Sequence, residues 1–487
     1  MKISSYATVD TTTERREAAP AQTEVARPQP SVGVFGLIAL LAFGVLAFGA
    51  VDEWSTFAFE AGAAVLFLAW AGQQFLSGQV KLSNHPLYAP ALLFFLLILA
   101  QIVFRSSAYA YVTKYEMLQY AAYGVVLLLA AEWVQGENAR KKFALTIIVF
   151  GALYSFFALA QEMTSNGKIF WVFAPRFNGA IYGSYVNHNH YAGLMEMLVP
   201  MPLVVTMGHL LKGGKRALMA FCTVLMASTI FLSRSRGGMI AFVLQIVLFA
   251  ALTLYQRRNP RVAISLLAVC VLVLGFLVFI GKGQVLGRLG DLAPGTRLNM
   301  TQDCLRMFTH RPLWGWGLGT FPTVYPSYRS FYTNLFVNEA HNDYAQLLVE
   351  TGMLGFALML WFLLCLYRRG FPKSRRWEFK WDGALSLAAL LGCTGILFHS
   401  FVDFNLQIPA NAAIFYALAA LAASELSPRS SRSRRTQAAE TDEGEELPEG
   451  EELSRRDVHR LEPGYDQDQG KLFGLSSSAM NLLQLNC

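Results

Sequence analysis

Apolar residues fall in blocks of about 20, the length that crosses a hydrocarbon core of about 30 Å, and short polar stretches, many of them basic, separate the blocks. The blocks cover residues 31–51, 57–76, 87–104, 114–132, 142–161, 190–210, 216–233, 237–255, 262–281, 353–367, 384–402 and 408–425. Block 353–367 is short for a span, which moves its expected start back toward Ala345. In lipid every backbone N–H and C=O must be satisfied internally, so blocks of this length predict helices. The expected fold class is all-α: a polytopic membrane helix bundle of about 12 spans, with a large extracytoplasmic loop that contains short helices. Residues 1–30 are polar and read as a disordered cytoplasmic leader, with no cleavable signal peptide evident. Residues 31–426 form the membrane domain, with the largest loop at 282–344. Residues 427–487 form a charged tail, read as disordered and cytoplasmic.

Composition agrees with a membrane chain. Hydrophobic residues make up 54% and charged residues 15%, against roughly 25% charged in a soluble domain. The net charge of +7 is no nucleic-acid signal, because the basic residues sit in short clusters between apolar blocks. Clusters at 140–142, 212–216, 257–261 and 368–380 fall on one side of the expected membrane. The short loops of the other side hold only Arg105, Lys114, Lys168, Arg176, Arg234 and Arg236. That bias predicts both termini inside. The six cysteines show neither a disulfide framework nor a metal-ligand spacing.

The exception to the charge bias is informative. Ser233-Arg234-Ser235-Arg236-Gly237-Gly238 joins two apolar blocks with almost no loop and sets two arginines at the outer membrane surface. Charge there is costly and usually functional, and guanidinium groups match phosphate oxygens in paired hydrogen bonds. The blander reading is an anchor to ordinary lipid headgroups. In the large loop, residues 295–309 read as an amphipathic helix, with Leu298, Leu305 and Phe308 near one face and Arg297, Asp303 and Arg306 away from it. The Gly/Trp turn that follows, 311–319, carries little weight alone, because Trp is common at membrane interfaces. In Asn338-Glu339-Ala340-His341-Asn342-Asp343-Tyr344 a polar cluster opens an apolar helix. Asn342 or Asp343 is suited to cap it. His341 at the outer surface can take a proton near neutral pH, with Glu339 or Asp343 to orient its ring. A lone histidine at a helix start is more often structural. His188 and His190 lack the nearby carboxylate or cysteine that a zinc set needs, so 187–193 reads as a polar helix start. His399, Asp403 and Asn405 mark another polar turn, where Asp403 could pair with an arginine. No GxxxxGK[ST], no GxGxxG after a strand and no HExxH occurs, and the single D-x-D, Asp466-Gln467-Asp468, lies in the tail.

Four strings together resemble the O-antigen ligase and polymerase family: SRSRGG at 233–238, GTRLNMTQDCLRMFTHRPLWGWGLGTF at 295–321, NEAHNDYAQLLVETGMLG at 338–355 and HSFVDFNLQIPAN at 399–411. NHNHYAGLMEMLVP at 187–200 resembles that family's outer helix start, and the resemblance runs over about 177–426. It implies a multi-pass glycosyltransferase of the bacterial inner membrane. Such an enzyme takes a glycan from undecaprenyl diphosphate on the periplasmic face and delivers it to an acceptor glycolipid or to another lipid-linked glycan. The resemblance further implies inversion at the anomeric centre and no metal or other cofactor. Carried over by match, His341 is the general base, Arg236 with Arg234 holds the donor diphosphate, and Arg297 shares that role. Glu339, Asn342, Asp343 and Asp403 are expected to support them. Asp52 and Glu53, in the first outer loop, are carboxylates that could converge on the same place.

Ligase, polymerase and protein O-oligosaccharyltransferase share these motifs. The rival of another class is a carrier for glycan-lipids or small molecules. A carrier should show charges or broken helices near the middle of its spans, whereas here the polar residues cluster at the outer ends. The acidic run 440–452 reads as solvated rather than as a docking segment.

Overall fold

The computed structural model describes residues 31–175, 180–256, 260–261, 263–268, 271, 294–333 and 336–424. Among them the chain is an all-α, polytopic membrane bundle. The first nine helices are α1 (Ser31–Leu46), α2 (Glu53–Leu76), α3 (Tyr88–Val103), α4 (Ala110–Trp133), α5 (Gly136–Met163), α6 (His188–Leu198), α7 (Pro200–Met207), α8 (Gly213–Leu232) and α9 (Arg236–Tyr255). After the loop come α10 (Pro294–His310), α11 (Phe321–Val324), α12 (Asp343–Ser374), α13 (Trp381–His399) and α14 (Pro409–Ala423). Among the described residues six helices are long and apolar enough to cross a membrane, namely α2, α5, α8, α9, α12 and α13; three shorter apolar helices lie within α1, α3 and α14. Every expected block except 262–281 coincides with a helix or, for 190–210, with the α6–α7 pair. Most of block 262–281, loop residues 282–293, the leader 1–30 and the tail 427–487 lie outside the described residues.

A helix that is apolar all round must be enclosed by protein or by lipid, and the bundle uses both. The α6–α7 pair is buried at every position from His190 to Thr206. Pro200 opens α7 without breaking the path, because Val199 keeps helical angles of φ −54° and ψ −39°. In α13 78% of the apolar window is buried, against 28% in α2 and α8, so α13 is central and the other two are peripheral. The start of α13 is tied down by Arg140 of α5, which is 1% exposed and lies 3.5 Å from Asp382.

The helix expected near Ala345 begins at Asp343 and runs to Ser374, with a break at Gly352 (φ 65°, ψ −166°). The break has a cause. The carbonyls of Val349 and Glu350 accept the N–H groups of Trp316 and Gly317 at 2.9 Å each, and Met353 N–H bonds to Pro312 O at 2.8 Å. Gln101 of α3 joins the same knot, donating to Trp314 O at 2.7 Å and to Glu350 O at 2.9 Å. The Gly/Trp turn is therefore docked into a gap in a long apolar helix, and non-helical backbone is tolerated at such depth only when protein covers it.

The loop has a small core of its own. Met300, Cys304 and Met307 of α10 pack with Phe321, Tyr325, Ala340, Ala345 and Val349. The expected polarity of α10 is corrected here: Leu298 and Leu305 are 58% and 51% exposed, and Asp303 is 0% exposed. Asp303 accepts Ser330 N–H at 3.0 Å, Ser330 Oγ–H at 3.1 Å and Tyr325 O–H at 3.3 Å. A hydrogen-bonded carboxylate replaces an apolar residue on the packed face, which helical periodicity alone does not reveal. Gly352→Ala is expected to destabilise by about 1–3 kcal/mol, since that conformation is nearly closed to other residues and a Cβ would lie 2.3 Å from Leu313 O. Gly124→Ala, where a Cβ meets nothing within 4 Å, is the control. Thermal unfolding of the purified protein in detergent should separate the two; equal melting temperatures would contradict the docked-turn account.

Candidate active site

The α13–α14 turn ends in Asp403, whose side chain is 1% exposed. A buried carboxylate needs several partners, and Asp403 draws them from separate elements. Its Oδ1 lies 3.3 Å from His341 Nδ1, just before α12, and accepts Phe404 N–H at 2.9 Å. Its Oδ2 accepts Asn189 Nδ2–H of α6 at 2.6 Å. Arg297 of α10 approaches that oxygen to 4.0 Å and donates to Val402 O. Loss of hydration opposes the charge, but the His341 hydrogen bond and the nearby His190, His399 and His341 outweigh it and hold the carboxyl below the usual range. Asp403 is thus an anion at any ordinary pH.

His341 is fixed from both sides. Ala340 N–H bonds to Gln346 Oε1 at 2.8 Å, and Asp343 N–H bonds to Ser400 O at 2.9 Å. Between these ties His341 adopts φ 50°, and Arg234 in the other candidate turn adopts φ 61°. Non-glycine residues in the left-handed region cost about 1–3 kcal/mol and cluster at working sites. Phe404 packs edge-on between two imidazoles, 4.8 Å from His341 and 4.7 Å from His190. With Nδ1 turned to Asp403, Nε2 is the ring nitrogen left for another group.

The arginine turn follows from its own sequence. Helix α8 ends at Leu232, and Ser235 caps α9 by accepting Gly238 N–H at 3.2 Å. Arg236 opens α9. Arg234 is 74% exposed, with Glu162 3.9 Å away, a pair that solvent leaves weak. Arg234, Arg236, Arg297, His341, Asp403, Asn189 and Glu339 all line one cavity of about 1240 Å³. Asp52 and Glu53 reach the same cavity, with Trp54, Tyr115 and Glu116 beside them. Among the described residues no group of three or more His, Cys, Asp or Glu side chains is arranged to hold a metal ion.

Three residues expected to support His341 sit differently from one another. Asn342 caps α12, accepting Tyr344 N–H and Ala345 N–H at 3.1 Å each. Asp343 accepts Ser400 Oγ–H at 2.7 Å and Leu406 N–H at 3.1 Å. Glu339 accepts from Gln346. Burial pushes the Glu339 carboxyl well above its ordinary range; Gln346 opposes the rise, and the carboxylates of Glu350, Glu116 and Asp343 add to it. Glu339 thus turns to Gln346 rather than to the His341 ring. The side chain that meets the ring is Asp403, 62 residues away in sequence. Asn189 was read only as part of the polar helix start 187–193 and not as a site residue. Its one signal was a polar string at the head of a helix that is otherwise apolar and central.

Fold and site together define a helical membrane protein with an arginine- and histidine-lined cavity at one end of its bundle. Residues 221–360 match the O-antigen ligase family model. No curated protein matches the chain. The matched stretch contains Arg234, Arg236, Arg297 and His341; Asp403 and Asn189 lie outside it, and the fold brings Asp403 to His341 and Asn189 to Asp403. The match supports the O-antigen ligase family and, with it, membrane glycosyltransferase chemistry of the ligase or polymerase type.

Asp403 has a lowered folded-state pKa, so its contribution to stability is present above its unfolded value of about 3.9 and is lost as pH falls through the folded value. Melting temperatures taken from pH 6 down to pH 3 (about one unit below that reference) should fall more steeply below pH ~4 for the wild type than for Asp403→Asn. Identical acid slopes would show that the carboxylate is not held as described.

Proposed function

We propose that the protein transfers a glycan from an undecaprenyl-diphosphate carrier to an acceptor sugar hydroxyl, in the manner of an O-antigen ligase. The observation that carries this reading is the single cavity shared by an Asp403-paired histidine and three arginines. In this account Nε2 of His341 takes the proton of the acceptor hydroxyl. The freed oxygen attacks the anomeric carbon, the bond from that carbon to the diphosphate oxygen breaks, and its electron pair leaves with the lipid diphosphate. Arg236, with Arg234 and Arg297, stabilises the charge that grows there. Asp403 keeps the imidazole in the tautomer that presents a bare Nε2 and steadies the imidazolium that forms. Holding both reactants in one cavity supplies the rest of the acceleration. Fixed guanidinium groups suit a leaving group that is already good, and the reaction as proposed calls on no metal. Inversion follows from a single displacement.

The bias of the basic clusters supports a reading in which this end of the bundle faces away from the cytoplasm with both termini inside; an inner-membrane location is part of the same proposal. The lipid-linked donor and a glycolipid acceptor would both reach the cavity from the bilayer. A polymerase would use the same groups with a second lipid-linked unit as acceptor, and a protein O-oligosaccharyltransferase would use them with a side-chain hydroxyl.

His341→Ala and Arg236→Ala, expressed at matched membrane levels in the native host lacking its own copy, should each abolish mature glycan while lipid-linked precursor accumulates. The loss expected for the base is ~10²–10⁴-fold. On a gel, full-length chains on the carrier would indicate a ligase and single repeat units a polymerase. Wild-type behaviour of both variants would overturn the site and favour a carrier.

A further inference from the structure

One buried pair of charged-type residues takes no part in the chemistry above. His399, the last residue of α13, places Nδ1 2.9 Å from Oε1 of Glu196 in α6, and the two side chains are 1% and 0% exposed. Polar side chains buried in a membrane domain are expensive and functional by default, and an apolar pair would hold two helices together as well. The location of this pair is specific. A Cβ on Gly237 would lie 2.6 Å from His399 Nε2, and one on Gly238 would lie 2.9 Å from Glu196 Oε1. The first turn of α9, which carries Arg236, is thus seated directly on the pair, and the two glycines make that approach possible. From the other side, His399 O accepts Val402 N–H at 2.9 Å and Asp403 N–H at 3.1 Å, so the same residue anchors the turn that presents Asp403. Deeper in α9, Gln245 donates to Glu196 O at 2.9 Å and to Leu391 O of α13 at 2.6 Å, which keeps the three helices in register.

We propose that the His399–Glu196 hydrogen bond is a positioning device that fixes the arginine turn and the Asp403 turn relative to one another, so that donor-binding and proton-accepting groups face one cavity. Neither residue is catalytic. His399 acts through Asp403 and, across Gly237, through Arg236. The hydrogen bond joins α13 to α6 and holds the two side chains in one orientation; Gly237 and Gly238 of α9 are seated against that fixed surface, and a small misplacement of a binding group is enough to cost much of its effect. This inference rests on the functional reading for the role of the two turns, but not for their geometry.

The test uses the full-length protein in lipid nanodiscs. His399→Leu and Glu196→Leu remove the bond; His399→Asn keeps a donor where Nδ1 stands, and Glu196→Gln keeps an acceptor. Two quantities are read: backbone hydrogen exchange at 233–238 and 400–404, and the affinity for a fluorescent polyprenyl diphosphate. Both leucine variants should exchange faster in those two turns while the rest of the bundle exchanges as in wild type, and should bind the probe ~10- to 100-fold more weakly. His399→Asn and Glu196→Gln should restore both readouts. Unchanged exchange in the turns, a uniform rise across the bundle, or failure of the conservative variants to rescue would each overturn the proposal. If exchange behaves as stated but the wild type does not bind the diphosphate probe, the positioning role stands and the glycan-transfer reading fails.

Discussion

A carboxylate without water must find its partners in the protein, and Asp403 finds them in three elements that sequence keeps far apart. His341 at the head of α12, Asn189 at the head of α6 and Arg297 in α10 all come to one buried side chain. Remove that charge and each loses a reason to face the cavity. The left-handed backbone at His341 can be held because residues on either side of it are bonded into the same region. The rest of the bundle serves this arrangement: α13 runs through the centre from the Arg140–Asp382 pair at its start to His399 at its end.

The second organising feature is the gap in α12. A long apolar helix would ordinarily close all its own hydrogen bonds. Here Gly352 interrupts it, and the Gly/Trp turn supplies N–H groups to the carbonyls set free. The loop core of Met300, Cys304, Met307 and their neighbours is thereby locked to the membrane helix that follows His341. Arg297 and His341, on opposite flanks of the loop, gain a fixed relation from this docking.

Much of this was legible in the sequence, for identifiable reasons. Blocks of membrane-crossing length are set by the thickness of a bilayer, so the helices followed from apolar runs alone. Arg234 and Arg236 stood out because charge at such a place is costly. His341 stood out by its neighbours and by family resemblance. What periodicity cannot give is which distant side chain closes on which. Asp403 was seen as a candidate partner for an arginine, but its bond to His341 depends on how α13 ends. Asp303 was read on the solvent side of α10, because a carboxylate satisfied by Ser330 and Tyr325 looks in sequence like any polar residue. Glu196 was passed over within an apolar string, although a single acidic residue in such a string has few reasons to be there.

The central claim is that His341, oriented by Asp403, accepts the proton of the attacking hydroxyl. It is tested most directly with purified protein in proteoliposomes, a lipid-diphosphate-linked glycan, an acceptor glycolipid and a metal chelator. Release of polyprenyl diphosphate is followed against pH for the wild type and for His341→Gln, which keeps a polar side chain but cannot take up a proton. The account predicts robust release by the wild type, with an acid limb that reports loss of the free base, and a slow, pH-independent residue of activity in the variant. Equal rates in the two proteins, or the same acid limb in both, would contradict it.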